Sequence, residues 1–294
     1  MKSLLSLPGR ALGILLATGG MFAISTDSLI TRAADVDGFT VSFWFGVFVV
    51  PAMLLASAFR GKMPARLLRE IDRPTVLAGS LQAASTAAFI FAIKNTSIAN
   101  TVVIIAAAPV VAAFVSWIAL RENTSRRLKF GITLSIVGIL IVMSGSFGGG
   151  GLLGDLFAVG AITFWSLNLI TVRSRPQMDR FLMVAIAGVI LAVVSAIPAQ
   201  IIGHDWQTYV LLMLMGFGGG AAGRVALSLA TNYLPVAEVS LFAPIETLGG
   251  ITWAWLFFDE VPGVSTFVGG FIVIVAFVIA TVPVSTNGPV PGDA

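Results

Sequence analysis

The sequence predicts an all-α polytopic membrane protein with ten transmembrane helices arranged as two inverted five-helix repeats. Three observations predict it. Apolar residues make up 57% of the 294-residue chain and charged residues 11%. Mean hydropathy is +0.99, so polar surface is too scarce to cover a soluble core. The apolar residues fall into ten runs of about twenty, the length needed to cross a hydrocarbon layer about 30 Å thick. The last five runs also repeat the pattern of the first five.

The expected spans are 11–31, 40–59, 75–93, 98–119, 128–146, 153–172, 181–202, 208–231, 236–258 and 264–283. No gap between them could hold a soluble domain. Residues 1–294 are therefore expected to form one membrane domain, with repeat one at 11–146 and repeat two at 153–283. The Gly/Pro-rich tail at 284–294 is expected to be disordered. Span one follows Lys2 and Arg10 and precedes Ala33 and Ala34, which imitates a signal peptide. Ser25, Thr26 and Asp27 interrupt its apolar run, and span six repeats it, so cleavage is not expected.

Orientation follows from the cations. The N-terminus and the gaps after spans two, four and six hold fourteen Lys and Arg residues. The opposite side holds Arg32 and Lys94, and Arg224 lies inside span eight. Short basic loops stay in the cytoplasm, which places both termini there. The sequence pI of about 9.7 is then accounted for by anionic lipid headgroups, without nucleic acid. With no cysteine, disulfides and thiolate-held metals are excluded.

The repeat appears when the chain is slid along itself. A shift of 138 brings Ala92 onto Ala230, Ala99 onto Ala237, Trp117 onto Trp255, Glu122 onto Glu260 and Gly131 onto Gly269. A shift of 141 brings Gly13 onto Gly154, Gly19 onto Gly160, Ser25 onto Ser166 and Arg32 onto Arg173. Five is odd, so the second set crosses in the opposite sense. Inverted repeats of this kind mark alternating-access transporters, because each copy can take up the other's conformation.

Ten spans, the five-plus-five inversion and a Trp-x4-Glu ending spans four and nine resemble the drug/metabolite transporter superfamily. The closest branch is the EamA type of ten-helix bacterial exporters. Pro109 stands thirteen residues before Glu122, as is common in that family, whereas span nine has Thr247 at the equivalent place and Pro244 nearby. The resemblance implies that spans one to four and six to nine surround a central cavity, with five and ten outside. It also implies a bacterial inner-membrane location and export of amino acids, aromatic ones among them.

Several residues inside the spans bear on such a cavity. Charge at membrane depth costs at least about 2.5 kcal/mol and faces a cavity or partner. Counting from the turn at Tyr233 to Pro235, Arg224 and Glu246 both fall near the midplane, which makes them expected partners. A structural ion pair between two helices is the plainer alternative. Asp27 in span one is a cap, a gate or a coupling carboxylate. Gln82, Ser85 and Phe89 share one face of span three. Ser25, Asn168 and Ser228 are further polar candidates, and Trp44 and Trp165 are candidate cavity walls rather than interfacial anchors. Pro109 and Pro244 break the backbone ladder. Gly219 and Gly220, in a Gly-rich stretch of span eight, are candidates for a hinge or for close packing.

The expected function is a secondary transporter that exports a small metabolite such as an amino acid. Export of drugs, sugars or another metabolite class is the alternative, and a channel a more distant one. A membrane enzyme lacks support: there is no cysteine, and the single histidine, His204, falls in a loop. No Walker-type phosphate loop is present, so ATP does not drive transport directly. No cofactor or metal is expected. The partners are a small-molecule substrate and membrane lipid; the oligomeric state is left open, a monomer being compatible with the pattern.

Overall fold

The computed structural model describes all residues except 1–8, 63–67, 109, 112–113, 116–125, 148, 235–238, 240–241 and 282–294. Pro109, Trp117, Glu122 and the tail at 284–294 lie outside the described residues. The described residues form eleven α-helices and no strand. They are α1 (Gly9–Ala33), α2 (Gly38–Phe59), α3 (Arg73–Asn95), α4 (Ile98–Ile105), α5 (Arg126–Ser144), α6 (Leu152–Arg173), α7 (Arg180–Ser195), α8 (Trp206–Phe217), α9 (Gly219–Ala230), α10 (Ala243–Phe258) and α11 (Val264–Thr281).

Local chemistry fixes the helix starts. Asp37 accepts hydrogen bonds from the Phe39 and Thr40 amides ahead of α2, and Asp72 accepts from the Thr75 amide ahead of α3. Ser97 and Asp179 do the same for α4 and α7. These side chains satisfy amides that have no partner within their helix. At the other end of α10, Asp259 adopts left-handed backbone at φ 51° and stops the helix.

Five segments are long and apolar enough to cross a membrane: α1, α2, α3, most of α6, and α8 with α9 taken together. The chain is a multi-pass membrane protein. Each expected span holds a described helix, but three spans are interrupted. In span four, α4 stops at Ile105 and a turn occupies Ala106 and Ala107. In span nine, α10 starts at Ala243 with Pro244 in its first two positions. A proline lacks the amide donor and suits such a start, although α2 also accommodates Pro51 in its interior. The two breaks stand at equivalent places, since Ala243 falls opposite Ile105 in the 138-residue offset. In span eight, α8 and α9 meet at Gly218, with φ −95° and ψ −129°. A Cβ at Gly218 would press on the Leu214 carbonyl, so the break needs glycine.

Helix pairing respects the inversion. Span one packs mainly on span eight, and span three mainly on span six; exchanging the repeats converts one pair into the other. Spans two and seven pair with each other, as do spans five and ten. Both of these self-paired contacts close on glycine. A Cβ on Gly46 of α2 would meet the Gly188 carbonyl of α7, and one on Gly138 of α5 would meet the Gly269 carbonyl of α11. Close backbone approach through small residues is how helices associate where lipid removes the hydrophobic drive.

Candidate functional site

A cavity of about 60 Å³ lies in the middle of the bundle between spans one, three, four, six, eight and nine. Its walls carry Gln82, Ser85, Thr86 and Phe89 from α3 and Trp165 from α6. Arg224 from α9 and Glu246 from α10 add charge. Met21, Ile24 and Leu227 supply part of the apolar remainder. A volume of this size holds about four waters.

The expected pairing of Arg224 with Glu246 does not form. Arg224 Nη1 donates to Asp27 Oδ2 at 2.6 Å and to the Gly220 carbonyl at 2.9 Å. The reason is side-chain direction. A helical side chain leans toward its own N-terminus. On α9 that lean carries the guanidinium back toward the Gly218 break and level with Asp27. Judging depth from Cα positions alone ignores this reach. The guanidinium also lies 5.1 Å above the Phe45 ring, which adds a cation–π contact.

This ion pair is buried, with side-chain exposures of 8% for Arg224 and 0% for Asp27. Asp27 Oδ1 has no hydrogen-bond partner among the described residues. Gly220 packs directly against the carboxylate, and a Cβ there would collide with both oxygens. Glu246 is 9% exposed and stands in the first turn of α10. Its carboxylate accepts no hydrogen bond from any described side chain. The start of a helix favours a negative group there.

Of the expected wall residues, Gln82, Ser85, Phe89 and Trp165 line the cavity, together with Arg224 and Glu246. Gln82 Nε2 donates to Thr86 Oγ1 at 3.3 Å, and Ser85 Oγ donates to the Ala161 carbonyl at 3.0 Å. Four others do not line it. Trp44 sits in an aromatic cluster with Phe43, Phe48 and Tyr209. Asn168 Nδ2 donates to the Ala78 carbonyl at 2.7 Å. Ser25 Oγ accepts from Trp253 Nε1 at 3.1 Å, and Ser228 is buried with its hydroxyl unpartnered. Asn168 and Ser25 thus spend their polar groups on neighbouring helices, whereas the Trp44 and Ser228 polar groups are buried without a partner among the described residues. Thr86 lines the cavity and was legible only as the counterpart of Arg224.

A second polar cluster, unforeseen from the sequence, lies at the end of the bundle opposite the basic loops. Asp155 is fully buried at the start of α6, where Thr96 Oγ1 donates to its Oδ1 at 2.8 Å. Asn100 Nδ2 donates to Ser146 Oγ at 3.0 Å, and its Oδ1 accepts from Thr266 Oγ1. Arg32 donates to the Thr96 carbonyl at 2.6 Å and lies 3.7 Å from Glu260. The cluster ties the ends of spans one, three, four, five, six and ten. Asp155 was legible as an intramembrane carboxylate but sits one turn inside span six, where a helix-start reading hides it.

At the basic end, Asp179 receives Lys62 at 2.8 Å and Arg60 at 3.6 Å. Burial pushes the Asp179 carboxyl up. The Lys62 hydrogen bond, the Leu182 amide and the two nearby cations outweigh it and hold the group below the usual carboxylate range.

Comparison with known proteins agrees with this architecture. The chain is 23% identical over 293 residues to solute carrier family 35 member G1 of Homo sapiens, covering 92% of this chain and 78% of that one. It is 22% identical over 275 residues to a pseudopaline exporter of Pseudomonas aeruginosa, covering 90% and 94%. A crystal structure 13% identical in sequence superposes with a TM-score of 0.67, covering 92% of this chain and 97% of that one, and so shares the fold. The pattern of the EamA-like transporter family matches residues 11–144 and again residues 152–282. With both halves of the chain matched, this protein belongs to the EamA-like transporter family.

Proposed function

We propose that this transporter exports a small zwitterionic metabolite of the amino-acid class, aromatic ones included, by alternating access across a bacterial inner membrane. Both termini face the cytoplasm in this reading. One observation carries it. The central cavity holds a cation and an anion that are not paired with each other, beside two aromatic rings. Glu246 offers a carboxylate for an ammonium group. Arg224 offers guanidinium donors for a carboxylate, anchored by Asp27. Phe89 and Trp165 offer flat apolar surface, and Gln82 an amide for fixing orientation. Ligand sites combine an apolar wall with a few placed polar groups in this manner.

The breaks in spans four, eight and nine support the transport cycle. They divide these helices near mid-membrane, where each half can tilt against its partner. Asp259 and Asp72 hold helix ends outside that zone, so the flexible points are internal. Similarity to a pseudopaline exporter supports the outward direction.

The test is counterflow in proteoliposomes. Vesicles loaded with each member of a panel of amino acids, sugars and nucleotides receive the same labelled solute outside. The reading expects accumulation for amino acids, strongest for aromatic ones, with saturation. Accumulation of sugars or nucleotides alone contradicts it, and flux that never saturates indicates a channel.

A further inference from the structure

We infer that the crevice between α2 and α9 is a binding site for one acyl chain of an anionic phospholipid, whose phosphate meets Arg60. The crevice has a volume of about 430 Å³ and is lined by Ala56 and Phe59 of α2, Phe217 of α8, Phe181 of α7 and Ala222 and Leu229 of α9, among others. It arises from the Gly218 break. Before the break α8 packs on α2; after it α9 turns to pack on α1 and leaves α2 almost untouched. The gap so opened is apolar and faces outward: Leu55 is 52% exposed, Phe59 84% and Phe217 45%.

Length and charge identify the occupant. Along α9 the lining runs from Ala222 to Leu229 and along α2 from Ala52 to Phe59, seven residues each and about 10 Å at 1.5 Å per residue. That is about two-thirds of one leaflet of a core about 30 Å thick. A single acyl chain entering from one surface fills such a length; a solute crossing the bilayer has no reason to match it. The open end lies where the basic loops gather. There the Arg60 guanidinium lies 4.4 Å above the ring of Phe181, itself a wall of the crevice. Its link to Asp179 is loose, at 3.6 Å, because Lys62 at 2.8 Å and two α7 amides already serve that carboxylate. Arg60 thus places spare cationic donors at the crevice mouth, complementary to a phosphodiester. Lipid lodged there would brace α9, the helix that carries Arg224.

The test uses the purified full-length chain in detergent, titrated with phosphatidylglycerol or phosphatidylcholine of the same acyl chains and read by native mass spectrometry. The site predicts one tightly held lipid and a preference for phosphatidylglycerol of about fivefold, the worth of one cation near a headgroup. Arg60→Gln should bring the ratio near one and Arg60→Lys should restore most of it. Ala222→Phe, filling the crevice, should weaken both lipids alike. Equal binding of the two lipids by the parent chain overturns the proposal, as does an unchanged ratio in Arg60→Gln. Glycerophosphoglycerol, the headgroup without chains, should not compete; if it does, the site takes free anions and the crevice plays no part. A dimer mass with no bound lipid would show that a second copy covers this face and would equally overturn it. None of these readouts depends on which solute is exported.

Discussion

Spans three and eight occupy equivalent places in the two repeats, yet they are built differently. Span three is one unbroken helix, α3, from Arg73 to Asn95. Span eight is split at Gly218 into α8 and α9. In the 138-residue offset Ser80 stands opposite Gly218, Gln82 opposite Gly220 and Thr86 opposite Arg224. Both helices face the same cavity. In α3 the facing groups are neutral and satisfy each other, Gln82 to Thr86. In α9 the facing group is a cation whose charge is answered from another helix by Asp27. The inverted framework needs only that the two spans pack alike. Where they depart from each other, the departure marks residues kept for a purpose other than the framework.

The largest effect should come from removing the cation that distinguishes α9. Arg224→Leu leaves Asp27 buried without a partner and should cost about 3–5 kcal/mol. The double change Asp27→Asn with Arg224→Leu should recover much of it, since coupled residues do not add. Thermal melts in detergent read both. Strict additivity would mean that the two side chains do not interact.

Next is the glycine that lets the charge sit so close. Gly220→Ala places a methyl group against the Asp27 carboxylate and should cost about 1–3 kcal/mol by overpacking. Gly19→Ala, whose Cβ would meet nothing, should be neutral or stabilise by up to about 1 kcal/mol. If the two variants melt alike, α1 and α9 are not packed as described.

A smaller stability change is expected on the cavity face, where the readout is flux. Gln82→Leu gives up one neutral hydrogen bond to Thr86 and should cost about 1 kcal/mol, with a larger relative loss of counterflow. Equal loss of fold and flux would make Gln82 a packing residue, like Asn168.

The smallest effect lies outside the membrane. The Asp179 carboxyl is held below its ordinary value, so its contribution is present above the unfolded pKa of about 4. It is lost as pH falls through the lower, folded value. Its cationic partners are partly exposed, Lys62 at 33% and Arg60 at 47%, which limits it to about 1 kcal/mol or less. Asp179→Asn should therefore melt below the parent at pH 7, and the gap should narrow on acidification below about pH 4. A gap that widens in acid would contradict the sign.

The framework was legible because it follows from long-range averages. Run lengths set the spans, basic residues set the expected sidedness, and the offset of 138 exposed the repeat. Pro244 also fits its break, since proline suits the start of a helix, but Pro51 inside unbroken α2 shows that a proline in a span need not mark one. The cavity was half legible. Gln82, Ser85 and Phe89 share a face by helical spacing alone, and Arg224 and Glu246 stood out as charges at depth. The partner of Arg224 was not legible, because a guanidinium reaches more than a turn from its Cα and the direction of that reach decides between Asp27 and Glu246. Asn168 and Ser25 show the other limit: a polar side chain in a span serves a neighbouring helix as readily as a cavity, and only packing distinguishes the two.

The most direct measurement compares counterflow of phenylalanine with that of 3-phenylpropionate, which lacks the ammonium group, in the parent chain and in Glu246→Gln. With no hydrogen bond to a described side chain to lose, Glu246→Gln should melt within a few degrees of the parent. The parent should carry phenylalanine at least about tenfold better, the worth of one charge-assisted contact of about 1.5 kcal/mol or more. Glu246→Gln should lose most of that discrimination. If it keeps the parent's preference at undiminished rate, Glu246 does not receive the ammonium group, and the unpaired charges of the cavity are structural.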